Sequence, residues 1–147
     1  MARREPVELD EGEEILAVAR ASFRGAAATS TRATFALGAA RVRLRAFHDW
    51  HDAAIASGFP HVPPDMFVAV TPQRVLFGKP TFWGRPPAHY TSAVELGKIA
   101  QVAAVRHGIV TGVAFGLTHG AIVEVEAIRA RRLRRVVDVI TDLLERH

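Results

Sequence analysis

The sequence predicts an α+β fold: a mostly antiparallel sheet with one helix inserted early and a second closing the chain. Three observations carry that expectation. From residue 66 to residue 127, short apolar or alternating runs follow one another with turn residues between them, the pattern of strands joined by hairpins. Two segments, 39–57 and 129–146, instead space apolar residues three and four apart, as helices do. No strand–helix–strand interval carries a glycine-rich turn, so no phosphate-binding βαβ unit is expected.

At 147 residues, 49% hydrophobic and 23% charged, the composition is that of one globular domain, 1–147, with a single core. Residues 1–12 are polar, mixed in charge and expected to fray. They lack the apolar centre of a signal peptide, and no stretch reaches the roughly 20 apolar residues that span a bilayer. The expected location is cytoplasmic, with a peripheral membrane position as the alternative. Cysteine is absent, which removes disulfides, thiolate nucleophiles and cysteine-bound zinc.

In chain order, "EEILAVARASFRG" (13–25) fits helix or strand, because alanine does not discriminate. "AAATSTRATFALG" (26–38) holds a strand-like pattern over Thr31–Leu37, and the two together read as an opening hairpin. "ARVRLRAF" alternates, but its continuation "HDWHDAAIAS" places Leu44, Phe47, Trp50 and Ala54 on one helical stripe. That helix should stop at Gly58, with Pro60 beyond it. "MFVAV" (66–70) and "RVLFGK" (74–79) flank the tight "TPQ" connection, a hairpin. A Pro- and Gly-rich loop, 80–89, follows. Strands are then expected at 90–96, 99–107, 110–118 and 121–127, with breaks at Gly97-Lys98, Gly108 and His119-Gly120. "RARRLRRVVDVITDLLERH" aligns Leu133, Val136, Val137, Ile140, Leu143 and Leu144 on one face of a terminal helix.

Four stretches resemble the bacterial PH-like domains: "DEGEEILAVARASFRG", the hairpin "VAVTPQRVLFG", the meander "VELGKIAQVAAVRHGIVTGVAFGLTHGAIVEVEA" and the helix after it. The segment "ARVRLRAFHDWHDAAIASGFP" is similar to an insertion that some actinobacterial members carry before the central hairpin. The resemblance implies a curved, partly open antiparallel barrel with a C-terminal capping helix. It implies a binding or scaffold role, because members are generally regarded as such modules, and it says little about activity.

"AFHDWHDA" (46–53) looks most like chemistry, with His48 and His51 each followed by an aspartate. A shared metal is geometrically possible at i,i+3, yet helical metal pairs favour i,i+4 and zinc takes three protein ligands or more. The third would be a distant His61, His89, His107 or His119, with no signature to choose among them. A solvated helix face is the simpler reading.

The balance is basic, at net +4, and only Lys79 and Lys98 of the 19 positive residues are lysines. A GC-rich genome explains that bias as well as phosphate recognition does, so only local clusters count. "RARRLRR" puts Arg129, Arg131, Arg132, Arg134 and Arg135 at the start of a helix, where cations oppose the dipole. They suit an anion or acidic partner, or else pair with Glu124, Glu126 and Asp138. "KPTFWGRPP" offers Lys79, Phe82, Trp83 and Arg85 to a membrane surface or acidic peptide, unless its aromatics close over the barrel. Aromatics and basic residues are not interleaved along strands, so nucleic acid is not expected.

No G-x-S-x-G or G-x-x-x-x-G-K-[ST] exists, and Ser22, Ser30, Ser57 and Ser92 lack motif partners. The expectation is therefore a non-enzymatic binding or scaffold module without cofactor. Its binding residues would be Arg129, Arg131, Arg132, Arg135, Lys79, Trp83 and Arg85, and its partner a protein, its own copies, or an anionic lipid surface. A metal-dependent hydrolase using His48 and His51 is the alternative.

Overall fold

Alternation decides the first element. Ala17–Phe23 forms strand β1, which turns Ala19, Ala21 and Phe23 to one side and Val18, Arg20 and Ser22 to the other. The computed structural model describes residues 6–26, 39–81, 84–87 and 89–146. Helix α1 (Ala39–Ala56) follows, then β2 (Asp65–Val70), β3 (Arg74–Gly78) and β4 (Ser92–Glu95). A 3₁₀ turn, Leu96–Lys98, leads into β5 (Ile99–His107), β6 (Val110–Leu117), β7 (Ile122–Ala127) and helix α2 (Ala130–Arg146). The second strand expected for the opening hairpin, Thr31–Leu37, lies outside the described residues, as do Phe82 and Trp83.

The seven strands among the described residues make one antiparallel sheet in the order β4-β3-β2-β1-β7-β6-β5. Its two edges, β4 and β5, are consecutive in the chain and joined by only three residues. The sheet must therefore curl until those edges meet at one corner, although they do not pair. It is curved and unclosed. With one inserted and one C-terminal helix, this is the α+β architecture expected from the sequence and is consistent with a PH-like fold.

The concave face carries the main core, including Met66, Val68, Phe77, Val113, Phe115 and Val125. Helix α2 lays Leu133, Val136, Val137 and Ile140 into it, against β1, β2, β5 and β6. Each such side chain fully withdrawn from water contributes about 1.5–3 kcal/mol. A second apolar cluster lies on the convex face, where Phe67, Ala69, Leu76 and Tyr90 pack with Val7, Ile15 and Val18. Strands β2 and β3 are thus covered on both sides, which is why "MFVAV" and "VLFG" read as continuous apolar runs.

That second cluster takes in the described part of the first segment, residues 6–12, which the sequence expects to fray. Val7 donates its backbone N–H to Tyr90 at 2.7 Å, and Glu13 closes a turn back to the Asp10 carbonyl at 2.9 Å. The anchor is a buried ion pair spanning 61 residues. Arg74 Nη2 and Nε donate to the two oxygens of Glu13 at 2.8 and 3.0 Å, and Thr71 Oγ1 adds a 2.7 Å bond. Arg74 Nη2 also reaches the Glu8 carbonyl. Hydrogen bonds from Arg74 dominate in holding the Glu13 carboxyl at about 2, against an ordinary 4.5.

Helix α1 ends as expected. Gly58 takes φ +93°, its N–H bonds the Ile55 carbonyl, and the Phe59 N–H bonds that of Ala54. Those paired bonds form a Schellman cap. Phe47 and Ala54 are buried and Trp50 half-buried, with the Phe47 ring 5.5 Å edge-on to Phe23. The Trp50 indole donates to the Glu124 carbonyl at 2.9 Å, fixing α1 to β7. Leu44 departs from the expected stripe and is 53% exposed.

Candidate functional site

The convex face of β1 meets α1 and two loops. Ser22 stands opposite Asp65 in the β1–β2 register, and its hydroxyl donates to Asp65 Oδ1 at 2.9 Å. Arg43, on α1, donates to the same oxygen at 3.0 Å, with its guanidinium carbon 5.6 Å from the centre of the Phe23 ring. Two residues before Ser22, Arg20 shares this face. Its Nε is sealed from solvent and has no acceptor, and Arg20 makes no ion pair among the described residues. A buried donor left unmatched costs roughly 1–3 kcal/mol, more when charged.

Arg20, Arg43, Asp65 and Lys79 surround an open cavity of about 370 Å³ backed by Pro63 and Pro64. Its neighbour, also about 370 Å³, shares Pro63, Pro64 and Lys79 and is bounded by Phe47, His51 and Val62. One basic and one mostly apolar hollow therefore adjoin. Neither Arg20 nor Arg43 stood out in the sequence. The available signal was a charge inside the otherwise small and apolar "AVARASF".

Arg20 also stands between the two basic clusters the sequence predicts. Its carbonyl accepts from the N–H of Ile128, the residue before Arg129. Its Nη1 lies so near Gly84 that a Cβ there would approach to 3.3 Å, and Gly84 adjoins Arg85. Lys79 and Arg85 are exposed, and the Thr81 and Arg85 backbones bond each other at 3.1 Å. Trp83 belongs to the same loop but falls among the residues left undescribed.

Arg129, Arg131, Arg132, Arg134 and Arg135 are all exposed, and none has an ion pair among the described residues. Two of the carboxylates expected to offset them are engaged elsewhere. Glu124 binds Arg24 at 3.2 Å and His107 at 3.0 Å, Glu126 accepts from the Gly25 N–H, and Asp138 is not paired with Arg134.

The histidines are arranged otherwise than a chelate requires. His48 is exposed, as are Asp49 and Asp52. His51 stacks on Phe47 at 5.0 Å and lies edge-on to His61 at 5.1 Å, and its Nε2 accepts the Val62 N–H at 3.2 Å. His119 bonds the Ser57 carbonyl at the end of α1. Among the described residues, no group of three or more His, Asp or Glu is placed to hold a metal ion. No helix among them is long and apolar enough to cross a membrane. In comparison with known proteins, no family model and no curated protein matches the chain.

Proposed function

We propose that this chain is a non-enzymatic PH-like binding or scaffold module whose basic face engages an anionic partner, in the first instance an acidic membrane surface. One observation carries the reading: Arg129, just before α2, and four arginines at the start of α2 are exposed, without an ion pair among the described residues. Cations at a helix N-terminus cost about 0.3–1 kcal/mol each, so the cluster opposes folding and favours association. A Lys or Arg near an anionic leaflet contributes about 1 kcal/mol to attachment. An acidic protein, including another copy of the chain, would meet the same charges.

The hydrolase alternative draws on His48, His51 and His61 sharing one hollow. It requires His51 Nε2 to release the Val62 amide before a metal can use that lone pair.

Co-sedimentation with acidic vesicles tests the proposal. Wild-type protein should pellet at low salt and be released as salt shortens the screening length. Replacing Arg129, Arg131, Arg132 and Arg135 by glutamine should abolish pelleting and leave the melting temperature level or slightly raised. Wild type that ignores acidic vesicles at every salt concentration would move the proposal to a protein partner.

A further inference from the structure

We infer that the hollow between β1, α1 and Lys79–Pro80 is a phosphate-monoester site, with Arg20, Arg43 and Lys79 as its donors. The inference concerns a discrete pocket and stands apart from whether the α2 arginines meet a surface.

Charge comes first. Around this cavity stand three cations and one carboxylate, Asp65, which leaves two positive charges. Oδ1 of Asp65 already accepts from both Ser22 and Arg43. Arg20 and Lys79 have no ion pair among the described residues. A phosphate monoester, mostly dianionic at neutral pH, matches that excess, whereas a carboxylate or a sulfate monoester neutralises half of it.

Geometry agrees with the charge count. The Nε of Arg20 is withdrawn from water with nothing to receive its proton, an arrangement folding alone disfavours. Tetrahedral oxyanions accept paired N–H bonds from a guanidinium fork, so a phosphate in the hollow would meet the Arg20 guanidinium, with the sealed Nε reaching it once the side chain turns toward the cavity. The Pro63–Pro64 backing is stiff. Gly84 crowds Nη1 closely enough that a side chain there would press on the guanidinium.

The adjoining hollow states what the phosphate is attached to. Phe47, Val62 and Pro63 line it with mostly apolar surface, and Lys79 and the two prolines belong to both spaces. A phosphate seated between Arg20 and Lys79 would direct its ester oxygen toward that apolar neighbour. The ligand is then an organic phosphate with an apolar body, either a soluble molecule or the headgroup of a phosphomonoester lipid.

The test follows the Arg20 Nε–H resonance by ¹H–¹⁵N NMR while inorganic phosphate, phenyl phosphate and phenyl sulfate are added at constant ionic strength. Inorganic phosphate should shift that resonance saturably. Phenyl phosphate should bind more tightly than inorganic phosphate, and phenyl sulfate more weakly than phenyl phosphate. Vesicles containing phosphatidic acid, against vesicles of phosphatidylserine at equal charge, separate the two sources. A response to phenyl phosphate alone means a soluble ligand, and a selective response to phosphatidic acid means a lipid. Arg20→Met and Lys79→Met should each weaken phenyl phosphate by roughly tenfold or more, the loss of a charged hydrogen bond. Arg43→Gln serves if either variant fails to fold. An unmoved Arg20 resonance with every phosphate, equal affinity for phenyl sulfate, or folded variants that bind like wild type would overturn the assignment.

Discussion

Arg74 and Arg20 stand on strands of one sheet, yet their surroundings are opposite. Arg74 spends its donors on Glu13 in a two-point ion pair and on the Glu8 carbonyl, and Glu13 is completed by Thr71 and the Asp10 N–H. Arg20 lines an open hollow with two further cations and one carboxylate, Asp65, already engaged by Arg43, and its own buried Nε has no acceptor. A satisfied buried charge ties segments together. An unsatisfied one weakens the fold and is useful only when something arrives to complete it. The Glu13–Arg74 pair is accordingly read as the clamp that docks the N-terminal segment, and Arg20 as part of the proposed binding site.

The largest expected effect tests the frame holding both arginines. Ile140 is fully buried between α2 and the sheet, so Ile140→Asp places an unpaired carboxylate in the core. Circular dichroism should show loss of the cooperative unfolding transition. A normal transition would mean α2 does not close the concave face, and the placement of Arg129–Arg135 would fall with it.

Acid gives the next effect and acts on the clamp. Glu13 titrates at about 2 folded and near 4.5 unfolded. A depressed carboxyl contributes stability that is complete above about 4.5 and lost as pH falls toward 2. A shift of this size corresponds to roughly 3 kcal/mol. Denaturant titrations at pH 6 and pH 2.5 should show most of that difference, and Glu13→Gln should flatten its share of the slope. An unchanged slope in Glu13→Gln would place the acid sensitivity elsewhere.

The strand runs from 66 to 127 were legible because their turns are short and their apolar patterns regular; "IAQVAAVRH" matches β5 at both ends. Gly58 and the face of α2 were legible for equally local reasons. Sequence patterns failed where distant partners decide. Leu44 fits the helical spacing, yet its side chain stays exposed. The polar first segment conceals a carboxylate whose partner lies 61 positions later. Of the candidate binding residues, the α2 arginines and Lys79 were visible as charge clusters, whereas Arg20 became notable only through what the fold fails to place beside it. A donor without an acceptor leaves no mark in a one-dimensional pattern.

The most direct measurement compares melting temperatures of Arg74→Met and Arg20→Met. Breaking the buried pair at Arg74 strands Glu13 and should cost about 3–5 kcal/mol, a fall of roughly 10 °C in a domain of this length. Arg20→Met removes an unmatched donor and keeps the aliphatic stem, so it should melt at or above the wild-type temperature. A fall for Arg20→Met as deep as that for Arg74→Met would contradict the account, because Arg20 would then be a structural residue.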